Sequence, residues 1–556
     1  MRAFGRRCFS TAARTRLGAL GYEGERLTPN FFTMTKLVAT IGPSSDNPET
    51  LGQMVKDGLR VMRMNFSHAT FEEADMRMNM LRNATGSHTC GQYFDSDGSV
   101  KDLINTRASL LDTRGPEIRT GVYEGKVPLK VNDTVYVTTS EDYRETVDGK
   151  VDGKQYIFAD YGKLCDIVLP GEKILLDDGA IALKILSVDK DTQVVTCTVL
   201  NSGLLGARKG VNLPGKSVDL PPLTEKDKVD LRWGIENDVD FVAQSFVRKA
   251  SDVTACREYI TEVIEELKAK NPGQESLKYP PRIIAKIESA EALENFDGIL
   301  KESDGIMVAR GDLGVEIPFE KVTQAQKIMV SKCNTAGKPV IVATQMLESM
   351  QNSPRPTRAE VSDVTNAIYD GADAVMLSGE SANGDYPIES VQTMRRIIDE
   401  ADDYILSERS EIVASPTTDD DETKRRQQAM CRAAVSAARA SNAKLIIVLV
   451  RGGTAARLLA RERPAQPIMA LCLHPKAARQ LNIHRGVYPV VGKGSLNASA
   501  SPHRGLKHRH VDPSEAITTA KNIGWVSEGD SVVVVSAHTG TDLYSSTLGT
   551  TLVQVK

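Results

Sequence analysis

The sequence predicts an α/β protein built on a TIM (β/α)8 barrel, with an all-β insert domain after the third strand and a C-terminal α/β domain. Short apolar, β-branched runs alternate with helical patterns eight times along the chain. Between the third and fourth repeats lies a long stretch of short strands and turns, and a further strand and helix block follows the eighth repeat. Parallel strands joined by helices close into a barrel when the unit is repeated eight times.

The first three barrel strands are predicted at residues 37–43, 61–68 and 108–113, where apolar runs stop at polar residues or glycine. The first is broken by Gly42 and Pro43. Helical spacing follows at 47–58, where Pro48 and Glu49 favour a helix start, and at 71–83. The polar, glycine-bearing residues 87–102 are predicted to form an exposed insertion.

From Glu117 to Val218 the pattern changes to short strands, for example at 134–137 and 194–199, without helical stretches. The pairs Asp152-Gly153 and Asp178-Gly179 predict hairpin turns. The alternation then resumes, and five more barrel strands are predicted at 241–246, 283–288, 305–313, 340–344 and 374–379.

A third block follows residue 405. It contains an acidic linker at 419–422, an alanine-rich helix at 425–441 and a loop at 495–510, with strands predicted at 444–450, 468–473, 487–491, 531–536 and 551–555. The expected domains are therefore a leader at 1–33, a barrel at 34–115 and 219–405, a β lid at 116–218 and a C-terminal regulatory or assembly domain at 406–556.

Composition excludes several functional classes. The 556 residues are 41% hydrophobic and carry a formal net charge of −4, which gives no bias towards a nucleic-acid or membrane partner. The eight cysteines are scattered without paired spacing, which argues against a disulfide scaffold and against structural zinc.

The amino end has the composition of a mitochondrial presequence. It carries five arginines among Ser, Thr, Ala and Leu, and no acidic residue precedes Glu23. We therefore expect mitochondrial import, and the alternative is an untargeted basic tail on a cytosolic protein.

Two predicted strand ends carry the clearest chemistry. Lys286 and Glu288 end one strand, and Gly311 and Asp312 follow the next. The two carboxylates could hold a hard divalent cation, and the glycine lets a ligand approach the backbone. The alternative is a structural ion pair between Lys286 and Glu288.

Eight segments, in this order along the chain, resemble the conserved segments of pyruvate kinase; they are 39–45, 64–68, 111–121, 209–215, 285–288, 309–317, 343–350 and 377–380. The resemblance extends from Thr35 to the end of the chain. It implies transfer of the phosphoryl group of phosphoenolpyruvate to ADP, giving ATP, and protonation of the enolate to pyruvate. Phosphoryl transfer depends on positioning and charge neutralisation, so the site must gather cations.

The resemblance also implies a role for each residue. Glu288 and Asp312 match ligands of Mg²⁺ (or Mn²⁺), Lys286 matches the cation at the transferred phosphoryl group and enolate oxygen, and Gly311 matches a substrate contact. Thr344, a further substrate contact, and Ser378 would relay a proton through water to the enolate. Arg63, His68 and Lys209 match phosphate and nucleotide contacts. The K⁺ ligands of the family are matched by Asn65, Ser67, Asp112 and Thr113. Glu117 matches a position where glutamate goes with dependence on K⁺.

The chain departs from the family pattern at several positions. Arg114 stands where many relatives have lysine, and Ala455 replaces a phosphate-binding serine, which leaves Thr454 as the hydroxyl of that run. These departures argue against activation by fructose 1,6-bisphosphate and leave another phosphorylated effector open, whereas the family implies a homotetramer. Two other hypotheses stay open: another barrel enzyme acting on phosphoenolpyruvate or pyruvate, and a catalytically silent paralogue with a binding or assembly role.

Overall fold

The computed structural model describes residues 32–84, 105–147, 149–408, 422–450, 452–491, 513–538 and 547–556. The predictions for residues 1–31, 87–102, 419–421 and 495–510 therefore lie outside the described residues. None of the helices described is long and apolar enough to cross a membrane.

Eight parallel strands close into a barrel, as predicted, and each strand pairs with its neighbours in chain order. They are Lys36–Thr40, Leu59–Asn65, Ala108–Asp112, Phe241–Gln244, Arg282–Ile287, Gly305–Ala309, Val340–Ala343 and Ala374–Leu377. All but a few of their residues are buried, because the outer face is covered by helices and the inner face is filled by side chains such as Leu110, Phe241 and Met307.

The helices of the barrel lie between and after these strands. Their bounds are Pro48–Lys56, Phe71–Asn83, Glu225–Glu236, Ala250–Lys270, Ala290–Glu294, Phe296–Glu302, Arg310–Glu316, Phe319–Ala336, Arg358–Asp370, Gly379–Ala382 and Pro387–Glu408. Several begin at a Thr or Ser that caps the first turn, as Thr357 does by accepting a hydrogen bond from the Glu360 N–H.

One barrel strand is shorter than predicted. The strand expected at 305–313 ends at Ala309, and Arg310–Glu316 is a short helix. Gly311 and Asp312 therefore lie in the first turn of a helix rather than at the end of a strand. The sequence prediction was wrong here because a helix of seven residues is too short to show a helical period.

The insert forms its own core of buried side chains, from Ile118 to Leu213. Its strands are Val122–Tyr123, Val127–Leu129, Thr134–Thr138, Glu145–Thr146, Lys150–Val151, Lys154–Phe158, Lys173–Leu176, Ile181–Asp189, Val194–Val199, Gly203–Leu205 and Val211–Asn212. Both predicted hairpin turns are present. The expectation of no helix was wrong, since Leu164–Ile167 forms one helical turn.

The C-terminal domain is a five-stranded sheet with helices, as predicted. Its strands are Leu445–Val450, Ile468–Cys472, Val487–Val491, Ser531–His538 and the antiparallel Thr547–Gln554, and its helices are Glu422–Ala440, Thr454–Arg461, Pro475–Arg479 and Pro513–Asn522. Ile483 of this domain packs into the cluster of side chains that fills the barrel. The domain therefore sits at the amino ends of the barrel strands, opposite the ends that carry Lys286 and Thr344.

Candidate active site

Lys286 lies at the centre of a polar cluster at the carboxyl ends of the barrel strands. Its Nζ atom is 2.8 Å from Glu288 Oε1 and 3.2 Å from Asp112 Oδ1, and it donates a hydrogen bond of 2.7 Å to Ser245 Oγ. These partners come from the third, fourth and fifth strands or directly follow them. The ion pair between Lys286 and Glu288, considered above as an alternative, is thus present as one part of a larger cluster.

Electrostatics keep this lysine charged. Burial alone would lower the pKa of Lys286, but Asp112, Glu288 and Asp312 raise it above its ordinary value. The side chain is therefore an ammonium at neutral pH, surrounded by carboxylates in a site from which most water is excluded. Such a group can stabilise negative charge that develops on a reacting oxygen.

Arg63 extends the cationic side of the cluster. Its Nε donates to Asp112 Oδ2 at 2.6 Å, and its Nη1 donates to Thr40 Oγ1 at 2.9 Å. Burial would raise the pKa of Asp112, but Lys286 and Arg63 outweigh burial and hold that pKa below its usual value. Asp112 is therefore an ionised carboxylate that fixes two cations side by side.

Glu288 and Asp312 form a pair of buried acids beside the lysine. Burial raises the pKa of each, Lys286 lowers both, and Asp312 raises the pKa of Glu288 further. Glu288 Oε2 also accepts a hydrogen bond of 2.5 Å from the Phe246 N–H. A divalent cation between two such carboxylates would relieve their mutual repulsion, so the donor set fits a hard ion.

Among the described residues no group of three or more His, Cys, Asp or Glu side chains is arranged to hold a metal ion. Mg²⁺ commonly takes several of its ligands from substrate oxygens and water, so a pair of carboxylates is an adequate contribution from acidic side chains.

Thr344 is held in a strained conformation directly after the seventh strand. Its φ is 67°, a value that a β-branched residue rarely adopts. The next residue, Gln345, also has a positive φ of 54°. The Gly311 N–H donates to Thr344 Oγ1 at 2.7 Å, and this hydroxyl donates to Ala343 O at 2.6 Å. The strain places the Thr344 hydroxyl against the short helix that carries Asp312.

Ser378 follows the eighth strand, and its buried Oγ has no hydrogen-bond partner among the described residues. Its backbone N–H donates to Glu380 Oε2 at 2.8 Å, and the Leu347 N–H donates to Glu380 Oε1 at 3.0 Å. Glu380 is fully buried and so ties together the loops that carry Thr344 and Ser378. An unpartnered buried hydroxyl is costly unless a ligand or water completes it.

The four residues predicted to bind K⁺ lie on the second and third strands or directly after them. Asn65 and Asp112 are paired across these strands. Asn65 Oδ1 accepts a hydrogen bond of 3.1 Å from the Ser67 N–H, and Thr113 Oγ1 accepts one of 3.1 Å from the Ser245 N–H. The four residues are thus neighbours along two adjacent strands, and Asp112 among them is also an ion-pair partner of Lys286.

The other predicted residues lie further from Lys286. His68 is exposed, and Lys209 is 43% exposed and forms an ion pair of 2.8 Å with Asp177 of the same insert. Glu117 forms an ion pair with Arg119, and burial raises its pKa. None of the three contacts the lysine in this arrangement.

The insert nevertheless lies over the site. Asn212 Nδ2 donates to Glu316 Oε1 at 2.8 Å, and a cavity of about 70 Å³ between insert and barrel is lined in part by Glu117, Asp178, Glu288 and Asp312. A cavity of this size is too small for a nucleotide. The lid must move outward to admit one.

Sequence reasoning missed three residues of this site: Ser245, Phe246 and Glu380. Ser245 joins Lys286 to the third strand, and Phe246 binds Glu288 through its backbone with a φ of 55°. A serine after a strand usually caps a helix, and a backbone contact leaves no side-chain signature. The position of Ser245 at a strand end, like that of Ser378, was the available signal.

The comparisons with known proteins agree with this geometry. The family model described as "Pyruvate kinase, barrel domain" matches residues 32–391, and "Pyruvate kinase, alpha/beta domain" matches residues 428–547. The chain is 44% identical to the pyruvate kinase of Agaricus bisporus over 469 residues, which cover 83% of this chain and 80% of the relative. It is 41% identical over 521 residues to the cytosolic isozyme of pyruvate kinase from Glycine max, covering 90% of this chain and 93% of that protein. A pyruvate kinase of Staphylococcus aureus is 41% identical over 509 residues, covering 90% and 77%.

Proposed function

The chain belongs to the pyruvate kinase family of phosphotransferases, and we propose that it transfers the phosphoryl group of phosphoenolpyruvate to ADP, giving ATP and pyruvate as the last step of glycolysis. The observation that carries the proposal is the cluster around Lys286, whose ammonium lies within 3.2 Å of two carboxylates and a hydroxyl at the carboxyl end of the barrel. That end of a TIM barrel is where active sites lie.

Lys286 and Arg63 neutralise the phosphoryl oxygens and the enolate oxygen that develops as the bond to phosphorus breaks. Both cations are already oriented by Asp112, so little reorganisation is needed during the reaction. Glu288 and Asp312 would hold Mg²⁺ or Mn²⁺, and the bound ion would supply further positive charge to the same oxygens. The backbone of Gly311 and the hydroxyl of Thr344 line the enolate side.

The enolate then needs a proton at carbon. A water held by the Thr344 and Ser378 hydroxyls delivers this proton, and solvent replaces it. The unpartnered Oγ of Ser378 supports this role because it can bond to such a water within the described site. His68 and Lys209 contact the nucleotide after the lid has moved. Oxygens of Asn65, Ser67, Asp112 and Thr113 would hold K⁺, and Glu117 would make the enzyme dependent on it.

The test is pyruvate formation from phosphoenolpyruvate and ADP, measured with a lactate-dehydrogenase coupling system, with Mg²⁺ and either K⁺ or Na⁺. We expect Lys286→Met to reduce kcat by at least about a hundredfold, since removal of one donor to a developing oxyanion has such an effect. The exposed Lys321 provides a matched control, and Lys321→Met should retain wild-type activity.

Activity that requires K⁺ and is lost in Lys286→Met would support both the chemistry and the cation site. A folded wild-type protein without turnover would contradict the proposal and would favour the silent paralogue. Equal activity in K⁺ and in Na⁺ would contradict the proposed K⁺ site but would leave the proposed phosphoryl transfer in place.

Two further parts of the proposal concern the cell and the assembly. The arginine-rich amino end supports import into mitochondria, and a fluorescent reporter fused to residues 1–33 would remain cytosolic if this is wrong. Membership of the family supports a homotetramer, which light scattering of the purified chain would distinguish from a dimer or monomer.

A further inference from the structure

A second polar cavity lies between the last barrel helix and the C-terminal domain, far from Lys286. Its volume is about 230 Å³, and four arginines line it: Arg432, Arg439, Arg463 and Arg485. Ile405, Val435 and Pro464 form an apolar side of the same cavity. We refer to it as the junction cavity.

Three of the four arginines are paired with carboxylates. Arg432 Nε is 3.0 Å from Glu462 Oε2, Arg463 Nη2 is 3.0 Å from Asp373 Oδ2, and Arg485 Nη2 is 2.9 Å from Asp402 Oδ1. Arg439 is exposed and forms no ion pair with a residue that the structure describes. The junction cavity therefore carries an excess positive charge.

Arg463 has donors that the protein does not use. Its Nη2 donates to Gly371 O at 2.8 Å and also to Asn334 Oδ1 and Asp373 Oδ2, but its buried Nη1 has no acceptor among the described residues. The side chain is 11% exposed. Burial lowers the pKa of Arg463. The positive charge of Arg485 lowers that pKa further, whereas the carboxylate of Asp373 raises it. A guanidinium in these surroundings is stabilised by an additional anion.

The backbone at this position is also unusual. Arg463 has a φ of 50°, in the left-handed region that a long side chain seldom occupies, and Pro464 follows it. Strain of this kind persists where the surrounding contacts require it, often at binding sites. Here it holds the guanidinium between the two domains.

We propose that the junction cavity binds a small organic anion, with one phosphate or carboxylate group facing Arg463 and Arg439 and a short apolar part against Val435. The planar guanidinium matches either group through paired hydrogen bonds. The cavity is smaller than the roughly 300–1,000 Å³ of sites for drug-sized ligands, so it excludes a nucleotide.

Binding there would act on the barrel through residues that already bridge the domains. Asp373, which precedes the eighth barrel strand, accepts a bond of 3.1 Å from the Val340 N–H and one of 3.2 Å from the Arg485 N–H. Asp402 accepts a bond of 2.8 Å from the Thr35 N–H, just before the first strand. The seventh and eighth strands lead to Thr344 and Ser378 at their other ends, so the anion would regulate the proposed reaction.

Binding is tested by calorimetric titration of the full chain with inorganic phosphate and, separately, with butyrate at constant ionic strength. Arg439→Gln should weaken the binding of at least one of them about tenfold, the equivalent of one charged hydrogen bond. Ser436→Asp, which adds a negative charge at the rim of the cavity, should abolish it. Arg425 is exposed on the same helix outside the cavity, so Arg425→Gln should bind like wild type.

The cluster at Arg63 can also bind phosphate, but it does so equally in all three variants, so only the differences report on the junction cavity. If Arg439→Gln and Ser436→Asp weaken the binding of phosphate but not of butyrate, the ligand is a phosphate ester. If they weaken the binding of butyrate but not of phosphate, the ligand is a carboxylate. Isotherms that are the same in wild type, Arg439→Gln and Ser436→Asp for both anions would overturn the proposal.

Regulation is a separate step that rests on the proposed function. The anion that binds should shift the phosphoenolpyruvate concentration for half-maximal rate in wild type and in Arg425→Gln, but not in Arg439→Gln. Binding without any such shift would refute the coupling to the barrel and leave the anion site in place. A failure of pyruvate formation would affect only this kinetic arm, since the titrations require no turnover.

Discussion

Ser245 connects three parts of the catalytic cluster through one hydroxyl. Its Oγ accepts from Lys286 Nζ at 2.7 Å and lies 2.6 Å from Thr113 O and 3.1 Å from Asp112 Oδ1. A hydroxyl has a single proton, so the bond to Thr113 O takes it and the lone pairs remain for the ammonium. Ser245 is therefore a positioning residue for Lys286.

We predict that Ser245→Ala lowers kcat about tenfold or more while the KM for phosphoenolpyruvate changes little, because the lysine is still charged but less well oriented. The free energy of unfolding should fall by about 1–3 kcal/mol, the cost of an unsatisfied buried group. Steady-state kinetics and urea unfolding measure the two effects.

Ser303 offers a control for the stability effect. It is buried in the barrel and donates only a long bond of 3.4 Å to Leu300 O. Ser303→Ala should leave kcat unchanged. An equal fall in kcat for both variants would show that Ser245 acts through general packing rather than through Lys286.

At the residue scale the sequence predicted the charged groups and missed the groups that orient them. Lys286 and Glu288 stand out because they place charge at the end of a buried strand, whereas Asp112 was implied by the resemblance to the family. Ser245 and the backbone of Phe246 do not stand out, since their roles depend on which strands are neighbours in the closed barrel.

At the scale of elements, the two hairpin turns of the lid differ in what they face. Gly153 has a φ of 74°, and a Cβ there would meet nothing within 4 Å. Gly179 has a φ of 84°, and a Cβ there would lie 3.5 Å from Val315 Cγ1 in the helix that carries Asp312. One turn is remote from the barrel, and the other touches the candidate site.

We predict that Gly153→Ala and Gly179→Ala each lower the free energy of unfolding by about 1 kcal/mol, since a left-handed conformation is costly for alanine. The Cβ added at residue 179 would make only an ordinary van der Waals contact with Val315 Cγ1 at 3.5 Å, so both variants should keep kcat/KM close to that of wild type. A several-fold fall in kcat/KM for Gly179→Ala alone would show that lid closure requires a closer approach at this turn.

The elements themselves were largely predictable. Buried parallel strands are short apolar runs, and all eight were located within a few residues, as Val340–Ala343 and Ala374–Leu377 illustrate. The helix Arg310–Glu316 was predicted in part as a continuation of the strand, because its seven residues are too few to show a helical period. Tertiary contacts such as Gly311 N to Thr344 Oγ1 favour this helix in the folded protein.

At the scale of the whole molecule, the C-terminal domain is joined to the barrel by buried charges. Arg479 Nε is 2.7 Å from Asp240 Oδ1, and Asp240 Oδ2 also accepts from Arg82 Nη2 at 3.2 Å. The sequence predicted both domains but not this junction, because its ion pairs join residues far apart along the chain, separated by 239 positions for Arg479 and Asp240 and by 83 for Arg485 and Asp402.

His484 lies at the same junction, directly after Ile483, which enters the barrel. Burial lowers the pKa of His484 well below 6.5, and the nearby cations Arg457, Arg282, Lys36 and Arg463 lower it further. The folded protein therefore keeps this imidazole neutral at a pH where the unfolded chain has taken up a proton.

It follows that the free energy of unfolding decreases as the pH falls below about 6.5, by up to about 1.4 kcal/mol per pH unit from this group alone, until the folded pKa is reached. His484→Gln should remove that part of the pH dependence, measured as the urea midpoint between pH 8 and pH 5 by the fluorescence of the two tryptophans, Trp233 in the barrel and Trp525 in the C-terminal domain. His68 is exposed, so His68→Gln should follow wild type. If His484→Gln also followed wild type, the neutral state of this imidazole would not contribute to holding the two domains together.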